Sequence, residues 1–129
     1  MITSPDIVAI ELLREDQVLR VLHGGRVSVE PLPGGPAVRV TLLPGPQPTS
    51  RWEWSAQVQL DVWADDQLDA SELAASIRDR WPYQRGSFAG AWVSGTWVVS
   101  DPMALNDTSS KLARYSMILG LAVNADAQD

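Results

Sequence analysis

The stretch that decides the fold is RWEWSAQVQLDVWADDQLDASELAASIRDRW, residues Arg51 to Trp81. Its first half alternates, with polar residues at 53, 55, 57, 59 and 61 and apolar residues at Trp54, Ala56, Val58, Leu60 and Val62. Successive side chains of a strand point to opposite faces of its sheet. The alternation therefore predicts a half-buried, antiparallel-type strand with one dry face.

The second half of the stretch changes to a helical period. Its apolar residues are Leu73, Ala74, Ile77 and Trp81, which have the i, i+1, i+4, i+8 spacing of an amphipathic helix. Asp69 and Glu72 match a capping box, and Asp66 is a rival N-cap. Pro82 cannot continue the helix. We therefore expect a helix near residues 70–81 that folds back onto the apolar face of the strand.

The chain before this unit carries a helical segment and two strand segments. Ser4-Pro5-Asp6 is typical of a helix start, and Gly24-Gly25 is typical of a helix end. Asp16 is placed to cap a second short turn, so the pattern fits one kinked helix or two. Strands are expected at residues 26–32 and 37–43, separated by a Pro/Gly break. The sequence PGPQPTS, residues 44–50, predicts a stiff, exposed loop that leads into the central strand.

The chain after Pro82 predicts two more strands. Residues 83–89 are expected to form a loop and residues 90–100 a strand, with Gly95 as a candidate bulge. Residues 101–111 contain turn formers and are expected to form a second loop. The last strand, residues 112–124, is apolar on both sides in its second half, which favours a central place in the sheet.

These patterns predict an α+β fold in one domain covering residues 1–129. We expect a mainly antiparallel β-sheet of about five strands with two principal helices packed on one face. The expected core includes Ile10, Leu13, Val58, Leu60, Ile77, Leu119 and Leu121.

Composition excludes several classes of function. The chain has 129 residues, a net charge of -6 and no cysteine, so disulfides, thiolate chemistry and zinc–sulfur sites are absent. An acidic chain is a poor binder of the phosphate backbone. No apolar run reaches the roughly 20 residues that span a bilayer, and we expect no signal peptide at the start. We expect the six tryptophans to serve core and sheet packing rather than ligand stacking.

Residues that carry chemistry are few. His23 is the only histidine, and its place at the end of a helix, where a cation favours the dipole, predicts a structural role. Asp61, Asp65, Asp66 and Asp69 form the one carboxylate cluster, which we interpret as capping and solvation rather than a metal site. No nucleophile elbow or phosphate loop is present. We therefore expect no enzymatic activity, no metal and no cofactor.

The order of motifs resembles the tail-terminator, or tail-completion, family of long-tailed bacteriophages. The resemblance rests on a helix ending in Gly24-Gly25-Arg26-Val27, the strand VQLDVWA at residues 58–64 with its following helix, and the Leu112-Ala113-Arg114-Tyr115 entry to the last strand. It implies a virion protein, made in the host cytoplasm, that forms a homohexameric ring on the tail tube. There it would end tube growth and join the head-side connector, with no chemistry of its own.

The resemblance also implies partners: further copies of the chain, the tail tube protein and a head–tail connector or stopper protein. DNA would pass through a neutral to acidic lumen without sequence-specific binding, and no membrane is involved. Three prolines favour a preordered contact by the loop at 44–50, and the alternative is a linker or an exposed hairpin tip. The candidate subunit or tube contacts are Pro44, Gly45, Pro46, Gln47, Pro48, Trp52 and Trp63. Two alternatives are a connector or stopper protein and a Trp-presenting module that binds carbohydrate or another ligand.

Overall fold

The structure, a computed structural model, describes residues 4–45, 47–48, 53–105 and 113–124, with only the backbone at 47–48. Its helices are α1 (Pro5–Glu15), α2 (Gln17–His23) and α3 (Gln67–Arg80). Its strands are β1 (Val27–Ser28), β2 (Ala37–Leu42), β3 (Gln47–Pro48), β4 (Glu53–Ala64), β5 (Gly86–Phe88), β6 (Ala91–Leu105) and β7 (Ala113–Asn124). The predicted α+β class is confirmed.

The strands form one sheet in the order β1-β2-β4-β7-β6-β5, with β3 also paired to β4. Only β1 and β2 run parallel among the described strands, so the sheet is mainly antiparallel, as predicted. Strands β4 and β7 pair along their whole length, from Glu53 opposite Asn124 to Ala64 opposite Ala113. The central place predicted for the last strand is confirmed, since β7 lies between β4 and β6.

The helices pack on one face of the sheet, here called the inner face. Side chains from α1, α2 and α3 join those of β2, β4 and β7 in a single core cluster. The register of β4 is as predicted: Val58 and Leu60 are fully buried, whereas Gln57 is exposed. All of the expected core residues are buried: Ile10, Leu13, Val58, Leu60, Ile77, Leu119 and Leu121.

Asp16 divides the N-terminal helical segment into two helices. Its backbone is extended (φ -72, ψ 111), and its carboxylate accepts hydrogen bonds from the backbone N–H groups of Val18 and Leu19. Gly24 then ends α2 in the left-handed conformation with φ 61, which glycine adopts without steric cost. The alternative of one kinked helix is therefore wrong.

Asp66, rather than Asp69, caps α3. The Asp66 carboxylate accepts a hydrogen bond from the backbone N–H of Asp69 at 2.8 Å, so the helix begins at Gln67 instead of residue 70. Asp69 lies in the first turn, where a negative charge favours the helix dipole.

Three strand predictions need correction. The first strand has two residues instead of the predicted 26–32, and residues 83–89, expected to be a loop, contain β5. Strand β6 runs on to Leu105 through the turn formers Asp101 and Pro102, because cross-strand pairing with β7 continues there. Its register shifts between Ser100 and Met103, and such an irregularity tolerates a proline. The bulge predicted at Gly95 is confirmed by a register shift between Val93 and Gly95.

The proline-rich segment at 44–50 is not wholly a loop. Gln47 and Pro48 form β3, which pairs with Ser55 and Trp54 of β4. Strands β2 and β3 therefore pair with the same side of β4. Pro46, Thr49 and Ser50 lie outside the described residues, as does the Leu112 end of the last predicted strand.

Candidate interaction surface

The face of the sheet opposite the core, here called the outer face, has no described helix packed against it. It carries the polar positions of the alternating strands. On β4 these include Gln57, Gln59 and Asp61, and on β7 they include Arg114, Ser116 and Ile118. An open sheet face of this kind is a surface that a partner can cover.

Asp61 and two arginines form a charged group on the outer face. Asp61 is only 3% exposed, and Nη2 of Arg114 lies 3.0 Å from its Oδ1. Arg39 of β2 lies directly opposite Asp61 in the strand register. The Nε atoms of both arginines are buried without a hydrogen-bond acceptor. The Asp61–Arg114 pair is thus formed within the chain, whereas Arg39 has neither a hydrogen bond nor a salt bridge among the described residues.

An apolar strip on β6 lies beside this charged group. Met103 is 62% exposed opposite Ser116, and Leu105 is 37% exposed opposite Arg114. Trp97, 37% exposed, lies opposite Gly120, and its indole ring occupies the space that a Cβ at residue 120 would need. Exposed apolar side chains next to unpaired charge are typical of a surface that binds another protein.

The predicted carboxylate cluster is split by the structure. Asp61 turns to the outer face and pairs with Arg114, while Asp65, Asp66 and Asp69 are exposed at the turn from β4 into α3 and in the first turn of α3. These three residues are called the acidic turn. Asp66 serves as the cap of α3, in agreement with the capping interpretation. Across the described part of the chain, no group of three or more His, Cys, Asp or Glu side chains is arranged to hold a metal ion.

The candidate contact residues have different surroundings. Pro44 and Gly45 are exposed, and Gln47 and Pro48 form β3. Trp63 is 9% exposed, and its Nε1–H donates to the carbonyl of Gly34 at 2.8 Å, so most of its indole contacts its own chain. Pro46 and Trp52 lie outside the described residues. The structure therefore groups Pro44, Gly45 and β3 at one end of the pairing between β2 and β4.

Of two other tryptophans, one is packed in the core as expected and the other is exposed. Trp81 is 2% exposed and donates its Nε1–H to the carbonyl of Gly120 at 3.0 Å, which anchors the end of α3 to β7. Trp92 is 40% exposed and lies on β6 with Trp97. Burial of the indole rings thus divides the described tryptophans into internal anchors and surface side chains.

His23 is a buried structural residue, but not a helix-end cation. Its Nδ1 accepts a hydrogen bond from the backbone N–H of Gly25 at 2.9 Å, so Nε2 carries the proton that is donated to the carbonyl of Leu13, also at 2.9 Å. Burial is the main cause that lowers the pKa of His23 below its ordinary value. The predicted structural role is confirmed, and the predicted positive charge is corrected to a neutral ring.

Asp16 joins the two ends of the helical layer. Besides capping α2, its carboxylate oxygens lie 2.8 and 2.7 Å from Nε of Arg80 at the end of α3. Burial raises the pKa of Asp16, but the hydrogen bond from Arg80 and those from the backbone outweigh this effect and hold the pKa below its usual value. Because the charges of Asp16 and Arg80 are paired within the chain, this ion pair offers no free charge to a ligand.

Sequence reasoning did not find the outer-face charges or the apolar strip. Arg39, Asp61 and Arg114 occupy alternating polar positions of three strands, which was the available signal. Their proximity depends on which strands are neighbours, and alternation within a strand does not give that order. No helix in the described part of the chain has the length and apolarity needed to cross a membrane.

No protein-family model and no curated protein matches this chain. Its fold is similar to that of a chain in a solved virion structure. The chain superimposes with a TM-score of 0.69 on a chain in the solved structure of a virion of a native gene transfer agent (GTA) particle. The two share 20% sequence identity, and the match covers 94% of this chain and 95% of the other. The likeness therefore establishes a shared fold over nearly the whole length of both chains.

Proposed function

We propose that this chain is a structural virion protein of the tail-terminator type, which forms a ring on the end of a tail tube. The observation that carries the proposal is the near full-length fold match to a chain of a gene transfer agent virion. The resemblance of the strand VQLDVWA and its following helix to tail terminators independently supports the same class of particle.

The surface supports an assembly subunit rather than an isolated domain. The outer face combines Arg39, which has no salt bridge within the described ranges, with exposed Trp97, Met103 and Leu105, and residues of this kind bind other protein surfaces. In a head-to-tail contact a patch meets a different patch on the next copy, and such contacts close into a ring when the rotation permits. The number of copies, six, comes from the family resemblance alone.

In this proposal the ring ends growth of the tail tube and joins it to the head-side connector, and DNA passes through the lumen. The chain acts by binding its own copies, the tube protein and the connector, without catalysis or a cofactor. The net charge of -6 supports passage of DNA, because an acidic surface attracts phosphates poorly.

The test is an image of the assembled particle by electron cryomicroscopy, with the chain labelled by a small fused tag. We expect one ring of density between the tube and the head. Particles that lack the chain should carry tubes of unregulated length that do not join heads. A ring that contacts the head-side connector but not the tube protein would favour the connector or stopper alternative, and the chain at any other location would refute the proposal.

A carbohydrate-binding module makes a different prediction. It would use exposed Trp92 and Trp97 on a monomer, and a glycan array would report binding that is lost in Trp97→Ala. We expect no such binding, because the Trp97 indole packs against Gly120 of the neighbouring strand.

A further inference from the structure

We propose that Arg39 on the outer face binds the acidic turn (Asp65, Asp66 and Asp69) of a second copy, so that copies join head to tail. This inference rests on the proposed ring function and names the contact that would build the ring. It is carried by an arginine whose Nε has no acceptor among the described residues, by the positive charge of the group around Asp61, and by exposed carboxylates that form no salt bridge with a described residue.

Arg39 has strong unused hydrogen-bonding capacity. Its Nε is buried and lacks an acceptor, and its guanidinium forms no salt bridge with the described residues. A partly desolvated guanidinium gains most from a carboxylate, which can accept two parallel N–H bonds from it. Asp61, the acid directly opposite Arg39, is bound by Arg114, and no described acid forms a salt bridge with Arg39, so a carboxylate of a second copy can take this place.

The local charge selects an acid as the partner group. The side chains of Arg39, Asp61 and Arg114 together carry one formal positive charge, and Glu53, the other acid of β4 on this face, lies at the far end of the strand. Asp61 is 3% exposed, so solvent screens this group less than it screens surface charges. An incoming cation or an apolar segment would leave that charge uncompensated, whereas a carboxylate neutralises it.

The acidic turn is a dense group of acids without a salt bridge in the described part of the chain, with three carboxylates within five residues. Asp16 is bound by Arg80 and Asp101 by Arg78, whereas other described acids without a salt bridge, such as Glu30, do not form a group of three. The three carboxylates of the acidic turn are exposed and form no salt bridge with a described residue. Crowded like charges repel one another, so docking against Arg39 of another copy relieves that repulsion.

The placement of the two patches gives a head-to-tail contact. Asp61 and Asp65 are four residues apart, about 13 Å at the rise of a strand, yet Asp61 faces outward from the sheet and the acidic turn leads to α3 on the inner side. The two complementary patches are therefore different surfaces of the chain, and their pairing generates a heterologous contact. The apolar strip of Trp97, Met103 and Leu105 lies on the same face as Arg39 and adds apolar burial.

The absence of cysteine from the chain makes a direct test possible. The double variant Arg39→Cys/Asp65→Cys would be treated with a short bismaleimide crosslinker, both as concentrated purified protein and in isolated particles. We expect a covalent ladder that extends beyond the dimer, since each copy contributes one cysteine to each of two contacts. The matched control, Arg39→Cys/Asp79→Cys, uses an exposed acid on another part of α3 and should give no ladder.

A charge exchange tests the energetics of the same contact. Arg39→Glu and Asp65→Arg should each weaken self-association by at least tenfold, and the double variant should recover most of it. Asp79→Arg, the control, should leave association unchanged. Circular dichroism of each monomer would show whether the fold is retained, and only variants that keep it enter the comparison.

The outcomes separate this inference from the proposed function. A ring in particles without a crosslinked ladder would overturn the contact and leave the ring intact. A ladder that stops at the dimer would overturn the head-to-tail arrangement. A third outcome is that duplex DNA binds the wild-type chain but not Arg39→Glu, and that no ladder forms. In that case the outer face binds DNA and the inference is wrong. Absence of any ring in the particle would refute the proposed function itself.

Discussion

At the scale of single residues, His23 connects burial to a pH dependence of stability. The unfolded chain has an ordinary histidine pKa of 6.5, whereas burial lowers the pKa of His23 in the folded chain. As the pH falls below about 6.5, the unfolded state takes up a proton before the folded state does. We therefore expect the free energy of unfolding to fall as the pH drops from 7 to 5, measured by urea unfolding.

The variant His23→Gln provides the control for this prediction. It should lower stability at pH 7.5 by about 1–3 kcal/mol, because the buried carbonyl of Leu13 or the N–H of Gly25 loses its partner. Its stability should then change less between pH 7 and pH 5 than that of the wild type. Parallel pH profiles for the two proteins would contradict the assignment of the pH dependence to His23.

Gly35 is a residue-scale constraint of a different kind. A Cβ at this position would lie 2.7 Å from Cα of Ala64, and a backbone atom cannot swing aside as a side chain can. We expect Gly35→Ala to lower the free energy of unfolding by about 1–3 kcal/mol through this overlap. Gly95→Ala is the matched control, because a Cβ there meets nothing within 4 Å. Equal urea midpoints for the two variants would rule out the close approach.

Individual core residues could be predicted from sequence, whereas their polar partners could not. Val58, Leu60, Leu119 and Leu121 are buried as expected, because strict alternation assigns each side chain to a face. The acceptor of His23 is a carbonyl ten residues earlier, and the acceptor of Trp63 Nε1–H is a carbonyl in a Gly/Pro break. Such partners depend on how loops pack, for which the sequence has no periodic signal.

At the scale of elements, the two aspartate caps differ in their second contacts. Asp16 caps α2 and also binds Arg80, whereas Asp66 caps α3 and has no salt bridge with a described residue. A lost cap costs about 1 kcal/mol, and the Arg80 side chain is 43% exposed, so solvent screening limits what the ion pair adds. We expect Asp16→Ala to cost about 1–2 kcal/mol and Asp66→Ala about 1 kcal/mol.

Salt and acid distinguish the two caps further. Raising NaCl to about 1 M should shrink the difference between Asp16→Ala and Asp66→Ala, because it screens only the pair with Arg80. The lowered pKa of Asp16 means that its contribution is present above pH 3.8 and is lost as the pH falls through the native pKa. A difference between the caps that does not respond to salt would show that Arg80 contributes no electrostatic stabilisation.

The extent of the elements was harder to predict than their type. The long strand β4 and the helix α3 were expected from strong periodicity, and both exist with small changes at their ends. Strand β6 is longer than predicted. Asp101 and Pro102 locally favour a turn, but pairing with β7 keeps the strand extended. Short strands such as β1 and β5 carry too few residues for alternation to be visible, so only their neighbours in the sheet define them.

At the scale of the whole molecule, more of the fold than of the candidate site could be predicted from the sequence. The alternation of β4 and β7 implies a two-faced sheet, and the amphipathic helices can cover only one of its faces. The charged group of Arg39, Asp61 and Arg114 required the strand order β2-β4-β7, in which β2 and β7 flank β4 although they are distant in sequence. A surface assembled across strands is therefore visible only after the sheet is known.

The proline-rich segment follows β2 at one end of this sheet. Pro44, Pro46 and Pro48 restrict the chain around β3, and each proline lowers the entropy lost on ordering by about 0.4–1 kcal/mol. If this segment contacts a neighbouring copy or the tube, replacing all three with serine should weaken assembly by roughly tenfold to a hundredfold. The β2–β4 pairing from Ala37 to Leu42 does not include these residues, so the monomer should keep its fold.

Sedimentation of the purified chain and its incorporation into tails would measure this effect, with circular dichroism to check the fold. The matched control replaces Pro31 and Pro33, which lie in a different break of the chain. Serine at 44, 46 and 48 that leaves assembly unchanged would show that the segment contacts no partner. Weaker assembly of the triple variant, with unchanged assembly of the control, would place Pro44, Gly45 and β3 at a contact. A segment that is ordered on binding loses affinity when its stiffness is removed.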